Sequence, residues 1–418
     1  MSNIDSVLKK QIEKIKIDDY ELDKIKKISF EFCRELEKKL KIKNINADLF
    51  IGGSLAKNTL IKTDENKYDV DIFLRFINEK EDISSILGKI LGKDFIRIHG
   101  SRDYYQKKID NITIEIIPVI KIKSPEEASN ITDLSYFHVN YVLKQIRKDA
   151  KLADEIRLAK SFCHGQDCYG AESYIRGFSG YALELLIINY GSFLKFLKTI
   201  ATSKDDKIIV DYEKNFKNKK EILMELNESK IQSPIILVDP TFKTRNAASS
   251  LSQDTFNKFK VACINFIRNP SENFFLKKKV EEEFRNFSDV KKMIIKTNKQ
   301  AGDIAGTKSK KFFNFLLEEI KKEFLIKKTG FSYDDGKNIA IGYLVVDKKK
   351  DEIIRGPDIT NLEHLKRFKE HHPNAFIKNQ ISYAEIQHNL SFEKFFKKFL
   401  DKDKRIIKEM GISELKLK

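Results

Sequence analysis

The stretch from Phe50 to Phe76, FIGGSLAKNTLIKTDENKYDVDIFLRF, decides how this chain is read. It opens on Gly52-Gly53-Ser54, with Lys57 three residues after the serine, and closes on a strand-like run holding Asp69 and Asp71. Side chains two apart in a strand share a face. Asp69 and Asp71 therefore point one way, and Val70 and Ile72 turn to the opposite, apolar face. Two carboxylates aimed at one point repel unless a cation lies between them, and hard oxygen ligands beside a phosphate suit Mg²⁺. The Gly-Gly-Ser turn lets the backbone approach a phosphate closely and leaves amide N–H groups free to bind it. Together the two halves read as a site for metal-assisted nucleotidyl transfer. Taken singly each is weak: a Gly-Gly-Ser turn is often only a turn, and Asp-x-Asp is common on solvated strand faces. The ordered pair, fifteen residues from Ser54 to Asp69, is the specific signal.

Farther along, Tyr104–Ile109 and Ile112–Ile117 read as a hairpin around Asp110-Asn111, with Pro118 ending the pairing of the second strand. Ile112, Ile114 and Ile116 alternate there with Thr113 and Glu115. A lone acid in a strand is ordinarily solvated. A Gly-Ser/Asp-x-Asp site needs a third carboxylate from a neighbouring strand, and Glu115 is the candidate.

The 418 residues leave room for two to four domains, and 41% hydrophobic residues with 7 prolines describe a globular chain. Lys and Arg total 79 against 62 acids, a net charge of +17 that favours a polyanionic partner. A Lys-rich coding bias is the plainer explanation. Cys33, Cys163, Cys168 and Cys263 form no C-x-x-C pair and read as buried thiols. The N-terminus lacks an apolar signal core, and no apolar run is long enough to span a bilayer. The expectation is a cytoplasmic protein with no membrane partner.

The pattern along the chain is α+β and multidomain. Leu22, Ile25, Ile28, Phe32, Leu36 and Leu40 predict a helix after Asp18-Asp19, followed by the strand ADLFIGG and a short helix over Ile83–Leu91. From about Asn140 the periodicity is helical. Ser179-Gly180 starts one helix and Gly191 ends it. The Lys-rich run over 204–221 reads as an exposed excursion. Ser250 and Gln253 have capping-box spacing before a helix that Asn269-Pro270 stops. Beyond about residue 275 come a helix of about fifteen residues from near Ser309, then strands at Phe324–Tyr333 and Ile339–Val346 turning through Asp334-Asp335-Gly336. Arg355-Gly356-Pro357-Asp358 then precedes the helix NLEHLKRFKEHH, the strand-like SYAEIQ and a basic amphipathic FEKFFKKFL.

Four stretches carry a further likeness: GGSLAKNTLI…YDVDIF, RLAKSFCHGQDCYGAESYIRGFSGYALELLIINYGSF, VDPTFKTRNAASSLS…FIRNPSENFF and RGPDITNLEHLKRFKEHHPNAF. With them in this order the chain resembles the archaeal-type (class I) CCA-adding enzymes, tRNA nucleotidyltransferases of the polymerase-β superfamily. The resemblance implies a nucleotidyltransferase head of mixed sheet and helices over 1–140, a helical nucleotide- and tRNA-binding central domain over 141–275, and an α+β tRNA-binding tail over 276–418. It implies Mg²⁺ as cofactor, CTP and ATP as substrates, and a tRNA partner held by its acceptor stem and 3′ end. A homodimer is compatible with it.

Carried onto this sequence, the resemblance places Gly53, Ser54 and Lys57 at the nucleotide phosphates and Asp69, Asp71 and Glu115 as catalytic metal ligands. It places His138, Lys160 and Tyr169 on the nucleotide and makes Arg245 the reader of its base. Arg176, in the most specific of the four stretches, is either a tRNA contact or part of a structural ion pair. Singly these residues have plainer readings: a structural histidine, one solvated lysine among many, a core tyrosine, and an arginine that caps a helix or pairs with Asp239. There are departures from the family pattern. Glu115 stands where Asp is usual, Phe242 where an acid is usual, and Ser135-Tyr136 replaces threonine-proline. One extra methylene matters to an ion as strict in geometry as Mg²⁺. Two rival readings therefore remain: a superfamily enzyme with another product, such as oligoadenylate or a cyclic dinucleotide, and a catalytically weakened tRNA-binding relative.

Overall fold

Val70, Ile72 and Leu74 are fully buried along one side of a nine-residue strand, as the alternation from Tyr68 to Phe76 predicts. That strand, β2 (Tyr68–Phe76), lies between β1 (Ala47–Ile51) and β5 (Ile112–Ile120), and β4 (Tyr104–Ile109) and β3 (Ile96–Ile98) complete the sheet in the order β1-β2-β5-β4-β3. β2 and β5 run parallel, and the other neighbours are antiparallel. One face packs on the helices Asp19–Ile42 and Ile83–Leu91 through Ile25, Leu36, Leu87 and Ile90. Asp18 caps the first of these, accepting from the Glu21 N–H. Pro118 does not end β5. Pairing with β4 stops at Ile116, but pairing with β2 continues to Ile120. The missing proline donor closes one edge of the strand only.

The computed structural model describes residues 3–62, 67–77, 82–298, 301–334 and 336–418. The polar loop at 63–66 and Asp335 of the expected turn lie outside them. The chain divides into two compact units, Met1–Lys278 and Lys279–Lys418.

Within the first unit, the helices Lys151–Gly165, Gly180–Tyr190, Phe193–Thr202 and Gln253–Arg268 share a core rich in Phe162, Phe193, Phe196, Phe259 and Phe266. Ser179 caps the second helix and Gly191, at φ 75°, ends it in the left-handed conformation. A helix over Asn3–Ile15 lies outside the elements expected above, although Ile4, Val7, Leu8, Ile12 and Ile15 have helical spacing, and it packs against this core through Val7 and Ile15. The cap of the Gln253–Arg268 helix is Ser252, and Ser250 instead donates to the Gly177 carbonyl at 3.0 Å. The run over 204–221 is not wholly an exposed excursion. Its Ile-Ile-Val triplet forms β6 (Ile208–Val210), parallel to β7 (Ile235–Asp239), which pairs with β8 (Phe242–Asn246). Ile208 and Val210 are buried there, so a three-residue apolar pattern outweighs the lysines around it.

The second unit holds a four-stranded antiparallel sheet, β10-β11-β9-β15, and a three-stranded one, β12-β14-β13. The ranges are β9 (Lys291–Thr297), β10 (Phe324–Asp334), β11 (Ile339–Lys348), β12 (Glu352–Asp358), β13 (Phe376–Lys378), β14 (Ile381–Ile386) and β15 (Ile412–Leu417). Its long helix is Gly302–Glu323 and begins well before Ser309. The extra turns bury Gly302, Ala305 and Gly306, small residues that leave no apolar periodicity to read. Among the described residues no helix is long and apolar enough to cross a membrane.

Ile114 is fully buried at the centre of the first sheet. Ile114→Ala is expected to lower stability by about 2–5 kcal/mol through the cavity it leaves. Denaturant unfolding should show a lower midpoint at unchanged slope.

Candidate active site

The parallel pairing of β2 with β5 sets Asp71 opposite Glu115 and Asp69 opposite Thr113. Because partners across a ladder share a face, Asp69, Asp71 and Glu115 all project from the side of the sheet away from Val70, Ile72, Ile114 and Ile116. The glycine turn closes on the same point. The Gly52 N–H donates to the Asp71 carbonyl at 2.8 Å. Gly53 has φ +56°, and a Cβ there would lie 1.6 Å from Asp71 Oδ2. Only glycine fits against that carboxylate. Ser54 follows in the short helix Gly53–Ala56, and its carbonyl accepts from the Thr59 N–H at 2.9 Å.

Burial, and then the Asp69 charge, push the Asp71 carboxyl up to about 6, against the pull of Lys57 and Lys160. Asp69 has surface exposed at the rim, yet desolvation of its carboxyl also raises it, against the Thr113 hydrogen bond and the Lys108 charge. Two adjacent carboxylates that resist ionisation together fit a site for a divalent cation. Glu115 is in register to join them, and its carboxylate accepts from Gln106 Nε2 at 2.5 Å. Among the described residues no three His, Cys, Asp or Glu side chains are drawn closely enough together to hold an ion.

Lys57 and Lys160 are both brought to the acids, and both are buried. They meet on Glu184, with Lys57 Nζ 2.6 Å from Oε2 and Lys160 Nζ 3.0 Å from Oε1. Lys160 also donates to Thr59 Oγ1 at 2.9 Å. Burial opposes ionisation of Glu184, but the two ammonium groups hold its carboxyl below the usual range. Arg157 fixes the intervening loop, donating to the Leu60 carbonyl at 3.1 Å and the Asn58 carbonyl at 2.6 Å. Tyr169 stacks on His164 with ring centroids 4.0 Å apart. Its hydroxyl leaves no room at Gly180, where a Cβ would come within 2.9 Å of it.

His138 and Arg245 come together on Asp239. Arg245 Nη1 donates to Oδ2 at 2.8 Å, and His138 Nε2 lies 3.1 Å from the same oxygen, off the line of a hydrogen bond. Burial lowers His138 from the ordinary histidine range, against the pull of Asp239. Burial works against the Asp239 charge, but the histidine contact, Arg245 and the Thr241 N–H hold its carboxyl well below the usual range. Arg176 is exposed with a left-handed φ of 52°. Its carbonyl accepts from the Ser252 N–H at 2.9 Å, and its guanidinium makes no ion pair among the described residues.

A family model described as tRNA nucleotidyltransferase, second domain, matches residues 154–276. The chain is 42% identical to the CCA-adding enzyme of Nanoarchaeum equitans over 214 residues, which is 50% of this chain and 52% of that one. It is 29% identical to the CCA-adding enzyme of Methanocaldococcus jannaschii over 410 residues, 93% and 88% of the two chains. With the CCA-adding enzyme of Saccharolobus islandicus identity is 32% over 350 residues, 78% of each. The chain belongs to the CCA-adding enzymes. Among solved structures, a Cid1 poly(U) polymerase matches 66% of this CCA-adding enzyme and 99% of its own chain, at a TM-score of 0.52 and 13% identity, a likeness of fold.

Two residues of this CCA-adding enzyme's site escaped sequence reading: Glu184, and Tyr181, whose hydroxyl donates to Asp239 Oδ1 at 3.0 Å. Asp239 had entered only as a plain ion-pair partner of Arg245, a pair the structure contains. Glu184 had left a signal. It is the one acid in the apolar helix GYALELLIINY, where a buried carboxylate needs a cationic partner.

Glu184→Ala would leave two buried ammonium groups without their counter-ion, and a loss of roughly 3 kcal/mol or more in unfolding free energy is expected. A cation bound by Asp69 and Asp71 must displace the proton that Asp71 takes up below about pH 6. Mn²⁺ affinity of the protein without RNA, followed by paramagnetic resonance, is therefore expected to fall by about tenfold per pH unit below that value. A flat profile between about pH 5 and 7 would contradict this assignment.

Proposed function

We propose that this CCA-adding enzyme transfers cytidylyl and adenylyl groups to the tRNA 3′ end at the acidic face of β2 and β5, where Asp69 and Asp71, and Glu115 once it turns from Gln106, would hold Mg²⁺. The observation that carries the reading is the register of Asp71 with Glu115 across parallel strands, beside a glycine turn that excludes any side chain at 53. Two Mg²⁺ ions there would lower the pKa of the attacking hydroxyl and neutralise charge on the leaving diphosphate. The hard oxygen donor set is what favours Mg²⁺ over softer metals.

The protein's own part is binding and orientation. Gly53 and Ser54 hold triphosphate oxygens through the backbone and the hydroxyl. Lys57 and Lys160 add positive charge to the same place, aimed by Glu184. Tyr169, backed by His164, packs against the nucleotide, a contact worth about 1–3 kcal/mol. His138 and Arg245 face the base, and Arg245 suits base reading because its planar fork offers fixed donors. Arg176 is exposed for tRNA phosphates, and A-form acceptor stems are read largely through backbone and shape. Steep weakening of tRNA binding with salt follows from that and from the charge of +17. The whole is read as a cytoplasmic activity.

Glu115 sets the test. Its contact with Gln106 keeps alive the reading of a weakened enzyme. Labelled CTP and ATP, each alone and together, are to be offered with tRNA transcripts ending at the discriminator base. Incorporation of two C residues and one A is expected, abolished in Asp71→Ala with tRNA binding retained. Tight tRNA binding with no incorporation by the unaltered protein would sink the proposal. Products formed without tRNA would favour a different superfamily activity.

A further inference from the structure

Asp239 is completely buried, and both of its oxygens are taken up by surrounding groups. Arg245 Nη1 donates to Oδ2 at 2.8 Å. The Tyr181 hydroxyl at 3.0 Å, the Thr241 N–H at 2.9 Å and the Thr241 hydroxyl at 2.8 Å all donate to Oδ1. Tyr181 in turn lies flat on His138, with centroids 4.0 Å apart and planes 23° apart, and the Arg245 guanidinium stands 5.7 Å above the tyrosine ring. These groups come from the helices Ser135–Lys148 and Gly180–Tyr190, from β8, and from the turn between β7 and β8. Among the described residues Arg245 has no other ion-pair or hydrogen-bond partner. One corner of its fork is pinned, and its remaining donors are left for a ligand.

We infer that Asp239 is a positioning residue that sets which nucleotides Arg245 accepts; the inference rests on Arg245 as the base reader. Cytosine and adenine share one pattern on their pairing edge, a bare ring nitrogen beside an exocyclic amino group. Uracil and guanine reverse it, with a ring N–H beside a carbonyl. A guanidinium donor held opposite the ring nitrogen meets an acceptor in CTP and ATP, and meets another donor in UTP and GTP. A guanidinium free to turn reaches the carbonyl oxygen of uracil or guanine instead and loses that discrimination. The charge-assisted bond to a buried carboxylate prevents the turn, because such bonds are short, strong and directional. Asp239 thereby converts an arginine that can donate to any acceptor into one that rejects two bases of four. Sites of this kind must be held within about 0.5 Å to discriminate.

The test is Asp239→Asn, which keeps shape and removes charge. Each of the four nucleoside triphosphates is offered singly to tRNA transcripts lacking CCA and lacking only the final A. Incorporation of UTP and GTP relative to CTP and ATP is expected to rise by about tenfold, the effect of losing one charge-assisted hydrogen bond. A uniform fall for all four nucleotides, with their ratios unchanged, would overturn the inference, since that is what a merely structural role produces. Should Asp239→Asn fail to fold, Tyr181→Phe carries the same test: it removes one donor to Oδ1 and keeps the ring on His138, and ratios equal to those of the unaltered protein would count against the anchor. Arg245→Ala, run alongside, separates the two layers. If it leaves the ratios unchanged, Arg245 is not the base reader and the inference falls with that reading. If it relaxes them while Asp239→Asn does not, base reading stands and the anchor alone is wrong.

Discussion

Two carboxylates held side by side against their mutual repulsion organise this protein. Asp69 and Asp71 sit two residues apart on β2, and the sheet gives them no freedom to separate. The cost appears in the Asp71 carboxyl, which burial and its neighbour push up to about 6. The surrounding fold is arranged to tolerate that pair. Gly53 presses backbone against Asp71 where any side chain would collide, and Lys57 and Lys160 bring positive charge from a loop and a helix a hundred residues apart. A parallel neighbour adds Glu115 at the same level of the sheet.

Buried anions play a second role. Glu184 and Asp239 are both fully buried, so neither carboxylate reaches solvent. Each gathers cations or donors that come from distant parts of the chain. Glu184 joins the loop after the glycine turn to the helix Lys151–Gly165, and Asp239 joins β8 to the helices Ser135–Lys148 and Gly180–Tyr190. Lysine and arginine side chains are long and rotamer-rich, so a phosphate or a base meets them in one place only if something fixed holds them there. Removing Glu184 would leave two buried ammonium groups without compensation, and removing Asp239 would leave the half-buried Arg245 without its anchor.

Much of the head was legible. Alternation fixed the acid face of β2, and the isoleucines around Glu115 fixed its side of β5. Ser179 and Gly191 marked the ends of their helix because capping chemistry is local. The misses were of two kinds. Small residues hid the first turns of Gly302–Glu323, since glycine and alanine carry little apolar signal. Long-range context overruled local composition at Ile208–Val210, where a Lys-rich run supplies a buried strand, and at Ser250, which yields the cap to Ser252 and bonds to Gly177 instead.

By itself the sequence determined which side chains share a face and where elements begin, because strand and helix periodicity are properties of adjacent residues. It placed Asp69, Asp71 and Glu115 on strand faces and a glycine turn ahead of them. Only the tertiary structure decided that Lys57 and Lys160 share one carboxylate at Glu184, and that His138 and Tyr181 join Arg245 on Asp239. Those pairings join residues separated by up to 127 positions, and no local rule connects them. They exist because packing brings unrelated elements within hydrogen-bond reach in a dry interior, where an unpaired charge is too costly to persist.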